Sequence, residues 1–421
     1  MKDFISCGFC NNKKEITALN PNFVKGKDNN YICEECIKSS YQMFGDLITS
    51  EENNGQSNQQ IVNSDKKLKE TFKKYNDFKI LNTKEIYNRL NEYIVGQEHV
   101  KRVLSVEVFK HYSRIMSKEN DIKFEKSNIL LIGDSGTGKT LFAKTLSNIL
   151  NVPLVITDAT SLTQTGYVGE NVESILSKLI EKANGDISLA EKGIIFIDEI
   201  DKIAKKESLS GRDIAGTGVQ NGLLKIIEGS NVKVSDSNEA LSIFSRSKNQ
   251  NINTENILFI CGGAFEDLKK LNKEYSIGFS KDQNKKNYNQ QEISNEDLIK
   301  FGMIKEFIGR IPIKLKLDSI TEEMIFDILL KPKNSILKQY IKFFSEYKID
   351  LSFENSALKM LSKIAFEQNI GSRGIKSILD KVLSETIFNI DLNNLSHKKI
   401  IVDEEFIFKQ TNFSNNKIIL S

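Results

Sequence analysis

Hydrophobic spacing separates a regular zone, from about residue 80 onward, from a polar interval before it. "TKEIYNRLNEYIVGQEHVKRVLSVEVFKHYSRI" keeps helical spacing with one break, at Val95-Gly96. Three short apolar runs follow: "NILLIG" (128–133), "GIIFIDEIDKI" (193–203) and "ENILFICGG" (255–263). Runs of this length bounded by turn residues predict buried strands. "KTLFAKTLSNIL", directly after the first run, predicts an amphipathic helix. Further on, "TEEMIFDILL" and a helix ending near 346 precede a strand around "KIDLSF" and the helix "ENSALKMLSKIAFEQ". "GSRGIKSILDKVLSETIFNI" predicts a long helix with Ile375, Ile378, Leu379, Val382 and Leu383 on one stripe. Strands alternating with helices in this order predict an α/β fold.

The polar interval "TSEENNGQSNQQIVNSDK" (49–66) holds too few apolar residues to offset the entropy of ordering it, and it predicts a flexible linker. The expected organisation is a small module at 1–48, a linker at 49–78, a large domain at 79–313 and a smaller domain at 314–421. A chain of 421 residues is too long for one ordinary core, which agrees with that division.

Four of the five cysteines, Cys7, Cys10, Cys33 and Cys36, form two C-x-x-C pairs separated by 22 residues. Each pair can turn both sulfurs onto one metal, so two pairs can close a tetrahedral Zn2+ site. A redox pair or two unlinked turns are the alternatives; the doubling of the motif favours structural zinc. With four thiolates filling the metal, no position is left for catalysis. Cys261, inside the third apolar run, reads as a core residue.

"GDSGTGKT" (133–140) fits G-x-x-x-x-G-K-[ST] and lies between a predicted strand and a predicted helix, the order a P-loop requires. Its backbone N–H groups and the helix N-terminus suit phosphates. The candidate nucleotide-binding residues are Gly133, Asp134, Ser135, Gly136, Thr137, Gly138, Lys139, Thr140 and Leu141. Lys139 would reach the β- and γ-phosphates of ATP, and Thr140 would ligate Mg2+. An apolar strand ending in two acids, Asp198 and Glu199, is unfavourable unless a cation or a reaction waits there. Asp198 is expected at the Mg2+, and Glu199 is expected to orient and deprotonate the attacking water.

Charge and hydropathy narrow the partners. A formal net charge of +3 is small for this length and leaves no global nucleic-acid footprint. No run of about 18 apolar residues and no basic-then-apolar leader is present, so neither a membrane span nor a signal peptide is expected, and the cytoplasm is the expected location.

Taken together, "YIVGQEHVKRVL", "GDSGTGKT", "TGYVGENVES", "FIDEIDKIAKK", "GVQNGLLKIIEG", "ILFICGGAFEDL", "IGF", "KFGMIKEFIGRIP" and "GSRGIKSIL" resemble the AAA+ ATPases and, within them, the ClpX family of protein unfoldases. The resemblance spans nearly the whole chain. It implies a P-loop AAA+ large domain, a small α+β lid domain and an N-terminal four-cysteine zinc module. The implied activity is ATP-driven unfolding of tagged or unfolded proteins, some brought by adaptors, by a homo-hexamer that feeds a ClpP-type peptidase; stand-alone chaperone action is also implied. An AAA+ motor or loader on nucleic acid is the alternative class, against which the small net charge stands. By the same resemblance, Arg310 in "EFIGRIP" is an arginine finger reaching a neighbour's γ-phosphate; a surface arginine capping a helix end is the plain alternative. Arg373, in the first turn of its helix, becomes a sensor of bound nucleotide.

Three polar loops complete the reading. In "TGYVGE" (165–170), Tyr167 and Val168 sit between Gly166 and Gly169, which the resemblance makes a mobile gripping loop on the central channel; a hairpin tucked into the core is the alternative. "KKESLSGRDIAGTGVQ" (205–220) resembles a second channel loop, with Arg212 as a substrate contact or simply part of a solvated turn. Ile277, Gly278 and Phe279 form an apolar island in a polar stretch, either a short strand or, by resemblance, an anchor that docks on the peptidase. The family pattern usually has Pro where this chain has Asp134, a shorter loop between its cysteine pairs, and Arg-Lys-His where 241–251 read "LSIFSRSKNQN".

Overall fold

A computed structural model of the chain describes residues 81–117, 124–163, 170–205, 214–234, 250–266, 268, 293–368, 372–390 and 398–413, together with the backbone of four short strands before residue 34. The chain divides into two compact units, Met1–Asp77 and Phe78–Ser421. In the first, Phe4–Ser6 pairs antiparallel with Lys13–Glu15, and Phe23–Lys25 with Tyr31–Cys33. Cys7, Cys10 and Cys36 lie outside the described residues, as do the linker at 49–66, Tyr167, Val168, Arg212 and Ile277–Phe279.

The second unit opens with α1 (Thr83–Asn91), started by an Asn82–Glu85 capping box, and α2 (Glu98–Met116). The break between them is sharp because Gly96 and Gln97 are both left-handed, at φ +64° and +57°. Then come β1 (Ile129–Ile132), α3 (Lys139–Leu150), β2 (Leu154–Asp158), α4 (Ser174–Lys182), β3 (Ile194–Asp198), α5 (Ile214–Glu228), β4 (Leu258–Gly263), α6 (Asn295–Phe301), α7 (Lys305–Gly309) and β5 (Ile313–Lys316). The five strands form one parallel sheet in the order β5-β1-β4-β3-β2.

Strand residues alternate between two cores, which is why these runs are apolar at every position. Leu130, Ile132, Ile195, Ile197, Phe259 and Cys261 face a core shared with α4–α7, whereas Ile129, Leu131, Ile194, Phe196, Leu258 and Ile260 face α1–α3. Burial pushes the Cys261 thiol up to about 12, in keeping with a core residue.

The structure corrects the loop expected over 205–220: α5 already begins at Ile214. Gly216 and Gly218 suggested a loop, but Val219, Leu223, Ile226 and Ile227 are buried at helical spacing, and that packing outweighs the glycine penalty. β5 also runs through the expected 313/314 boundary, because it pairs with β1 from Ile313↔Ile129 to Lys316↔Ile132. Packing changes core past Leu317, which belongs to the sheet's core, while Ile320 packs on the next one.

That next core gathers α8 (Glu322–Leu330), α9 (Ile336–Glu346), α10 (Asn355–Glu367), α11 (Ser372–Phe388) and α12 (Glu404–Phe413) around a two-stranded parallel pair, β6 (Ile349–Phe353) with β7 (Lys398–Val402). Ile375, Ile378, Leu379, Val382 and Leu383 are all buried, as the α11 stripe predicts. Arg373 falls in the first turn of α11, though its side chain lies outside the described residues.

Candidate functional site

The C-terminal ends of β1, β3 and β4 converge on one loop. Gly133 leaves β1 with its N–H donating to Gly263 O at the end of β4 (3.1 Å). The loop then turns through Gly136 (φ +81°) and Gly138 (φ +100°), conformations that favour glycine, and Gly138 opens α3. Thr137 ties the turn internally, its hydroxyl donating to Asp134 O at 2.8 Å. Lys139 is buried and folds back over the loop, with Nζ donating to the carbonyls of Gly133 (2.6 Å) and Asp134 (3.1 Å). Ser135 and Leu141 are exposed at the loop's rim.

Thr140, the next residue of α3, donates from Oγ1 to Asp198 Oδ2 at 2.9 Å. Asp198 ends β3, and its other oxygen accepts the N–H of Glu199 at 3.0 Å. Glu199 is left-handed (φ +54°) and exposed, a strained conformation for a non-glycine that turns the chain into the 3-10 helix Ile200–Ile203. The structure therefore brings together Lys139, Thr140, Asp198 and Glu199 at the ends of β1 and β3. A hydroxyl and a carboxylate at hydrogen-bond distance, beside a backbone cradle, are hard oxygen donors of the type that suits Mg2+ under a polyphosphate.

Several residues that the sequence reading did not single out hold this site in place. Asp201 is buried, and its carboxylate accepts the N–H groups of Ala264 (3.2 Å) and Phe265 (3.4 Å), tying the segment after Glu199 to the end of β4. A Cβ on Gly262 would come within 3.2 Å of Asp198 Oδ1 and 2.8 Å of Phe196, so only glycine leaves Asp198 its place. Gln220, fully buried on α5, donates to Ile203 O (2.7 Å) and accepts from Ile304 N–H (2.9 Å). The signal in the sequence is a lone amide at helical spacing from Leu223 and Ile227, visible only once the stretch is read as a helix.

Arg310 follows α7 and bonds through Nε to Glu228 Oε1, at the C-terminus of α5, at 2.9 Å. Its carbonyl accepts from Asn128 Nδ2 (2.7 Å), which fixes the backbone beside β1. Among the described residues its side chain makes no hydrogen bond to the P-loop of its own chain. No helix among the described residues is long and apolar enough to cross a membrane, and no cluster of metal-ligating side chains occurs among them.

A five-stranded parallel sheet with a P-loop following β1, an acid pair at the end of β3 and a separate small domain after β5 defines an AAA-type P-loop ATPase. A family model described as "AAA domain (Cdc48 subfamily)" matches residues 125–314. The chain is 47% identical over 339 residues to the ATP-dependent Clp protease ATP-binding subunit ClpX of Treponema denticola, covering 77% of this chain and 80% of that protein. It is 46% identical to the same subunit of Borrelia duttonii, over 77% and 78% of the two chains. With that of Bacteroides thetaiotaomicron the identity is 38% over 410 residues, 94% of each chain. The chain belongs to the ClpX family.

Proposed function

We propose that this chain is an ATP-driven protein unfoldase and translocase that works as a homo-hexamer in the cytoplasm and delivers polypeptide to a ClpP-type peptidase, with chaperone action of its own. The observation that carries the reading is the Thr140–Asp198–Glu199 cluster beside a folded P-loop in a member of this family. The peptidase is drawn from the relatives' name, an ATP-binding subunit of an ATP-dependent protease.

In this reading the N–H groups of 133–138 and the Lys139 ammonium hold the β- and γ-phosphates. Thr140 and Asp198 hold Mg2+, which would neutralise charge on those phosphates. Glu199 accepts a proton from a water whose oxygen bonds to the γ-phosphorus as the bond to the β–γ bridging oxygen breaks, leaving ADP and phosphate. Arg310 acts on the γ-phosphate of a neighbouring subunit; its exposed position at the end of α7 supports a role outside its own site. Arg373 reads the bound nucleotide from the small domain. Tyr167, Val168 and Arg212 contact the translocating chain, and Ile277, Gly278 and Phe279 dock on the peptidase.

Cys7, Cys10, Cys33 and Cys36 hold Zn2+ in the N-terminal unit. Cys7 and Cys10 lie in sequence between the strands of one antiparallel pair and Cys33 ends a strand of the other, and a four-thiolate set suits that metal. The boundaries 1–48, 49–78, 79–313 and 314–421 follow the same reading, and the change of core between Leu317 and Ile320 supports setting the last division a few residues later.

The test is degradation of a folded fluorescent reporter with ATP, with and without a ClpP-type peptidase. ATP-dependent loss of fluorescence is expected without peptidase, and loss of the polypeptide only with it. Stimulation of the ATPase by DNA and not by unfolded protein would overturn the reading.

A further inference from the structure

The segment joining the sheet to the small domain is gripped at three consecutive residues by three different parts of the ATPase domain. Leu317 N–H donates to Ile132 O at 2.7 Å, and its Cβ lies where a Cβ on Gly133 would meet it at 3.0 Å. Asp318 gives both backbone groups to the amide of Gln97, whose Nε2 donates to Asp318 O and whose Oε1 accepts Asp318 N–H, each at 2.8 Å. Ser319 Oγ donates to Asp134 Oδ2, in the P-loop, at 3.3 Å. Two residues later Thr321 caps α8 through Met324 N–H (3.2 Å), so the small domain begins there as a packed body.

These contacts differ in kind. The first two hold backbone, and the left-handed turn at Gln97 fixes the clamp that makes the second. The third joins two side chains, and its acceptor is the Asp134 carboxylate of the nucleotide loop. Asp134 is well placed to feel that loop: its carbonyl accepts from Lys139 Nζ and from the Thr137 hydroxyl. A phosphate that competes for Lys139 acts on the same peptide that carries the Asp134 carboxylate. The path therefore runs from Lys139 through the Asp134 peptide and side chain to Ser319, one residue past the fixed point at Asp318.

We propose that the Asp134–Ser319 hydrogen bond is a positioning contact that couples nucleotide on the P-loop to the hinge of the small domain. The inference rests on the ATPase reading above and deepens it. Coupling is reciprocal: if nucleotide alters this contact, breaking the contact must alter nucleotide affinity.

The experiment measures binding of a fluorescent, non-hydrolysable ATP analogue to the full chain, with hydrogen exchange of the 317–325 segment in the presence and absence of the analogue. Ser319→Ala and Asp134→Ala are each expected to shift the affinity by roughly two- to ten-fold, the size of an ordinary hydrogen bond's net contribution. The double variant is expected to shift no further than the larger single variant, and Ser319→Thr, which keeps the hydroxyl donor, to stay near the parent. Slowing of exchange by nucleotide is expected in the parent and in Ser319→Thr, and lost in Ser319→Ala. Unchanged affinity in Ser319→Ala, or additive effects in the double variant, would overturn the coupling while leaving the ATPase reading intact. Failure of the parent to bind the analogue would overturn that reading and this one with it.

Discussion

Thr140 Oγ1 lies 2.9 Å from Asp198 Oδ2, which joins the first turn of α3 to the last residue of β3. The two groups come from positions 58 residues apart, yet each is fixed by its element: α3 starts at Gly138, and β3 is locked between β2 and β4. Beyond this pair Glu199 turns outward on a strained backbone, free of the packing that holds Asp198.

That division of labour separates binding from hydrolysis. Glu199→Gln removes the proton acceptor and leaves Lys139, Thr140 and Asp198 in place. The expected outcome is normal ATP binding with hydrolysis slowed by about 100-fold or more. Lys139→Ala is expected to weaken binding itself. Equilibrium nucleotide binding and steady-state phosphate release measured on both variants check this; near-normal turnover in Glu199→Gln would remove it from the role of base.

Gln220 makes the opposite kind of contribution, to the scaffold. Its side chain is the partner of two backbone groups, Ile203 O and Ile304 N–H, in a site with no access to water. Gln220→Met fills similar volume and orphans both groups, at a cost of about 2–5 kcal/mol. Denaturant unfolding of the 78–421 unit should show that loss, and a change within about 0.5 kcal/mol would mean the two groups find other partners.

Three of the five sheet strands (β1, β3 and β4), the P-loop and the α11 stripe are legible in the sequence because each is a local pattern, carried by adjacent residues or by a fixed period; the edge strands β2 and β5 are only partly buried and form no such apolar run. The contacts that position these elements are not legible in this way. Gln97 meets Asp318 across 221 residues and Asp134 meets Ser319 across 185, and no local pattern encodes such pairings. The start of α5 was missed for a related reason. Gly216 and Gly218 lower local helix propensity, while the burial of Val219 and Leu223 that overrides them is tertiary. Glu228, the partner of Arg310, reads in sequence only as one more acid at a helix end.

Acid should destabilise the fold through His111. Burial first, and then the nearby Arg114 and Lys126 charges, push its imidazole down to about 3, although its hydrogen bond to Asn256 O acts the other way. Lys126 is itself pushed down to about 7, chiefly by burial and also by Arg114, with Glu255 opposing. Between pH 6.5 and 3 the unfolded chain thus binds a proton at His111 that the folded chain refuses. Stability contributed here is present above the unfolded pKa and is lost as pH falls, at up to roughly 1.4 kcal/mol per pH unit. His111→Gln keeps a donor for Asn256 O and removes the titration. Denaturant midpoints at pH 7, 6 and 5 should fall more steeply for the parent than for the variant; parallel curves would show that His111 is not the group responsible.

Zinc removal should act on one unit only. The contact division at Asp77/Phe78 separates the cysteine-bearing hairpins from the ATPase unit. Chelation, or Cys33→Ser, is expected to unfold residues 1–48 and leave the thermal transition of 78–421 in place. Calorimetry with a metal assay distinguishes this from loss of both transitions, which would mean that the ATPase unit depends on the metal.

The last prediction concerns which site Arg310 serves. Its guanidinium is more than half exposed and paired with Glu228, so the ion pair itself should contribute at most about 1 kcal/mol to stability. Glu228→Gln is therefore expected to leave the unfolding midpoint almost unchanged. Arg310→Ala should retain ATP binding and lose hydrolysis, since the proposed role begins only as charge develops on the γ-phosphate. Loss of hydrolysis alone does not say whose phosphate is involved; mixing does. A subunit carrying Arg310→Ala keeps an intact P-loop and Glu199, whereas one carrying Glu199→Gln keeps an intact Arg310. If Arg310 works across a subunit boundary, rings assembled from both inactive variants contain interfaces that pair a good base with a good arginine. Phosphate release should then reappear on mixing and rise to a maximum near equal proportions. If Arg310 serves its own chain, every site in the mixture lacks one group or the other, and the mixture stays as inactive as its components.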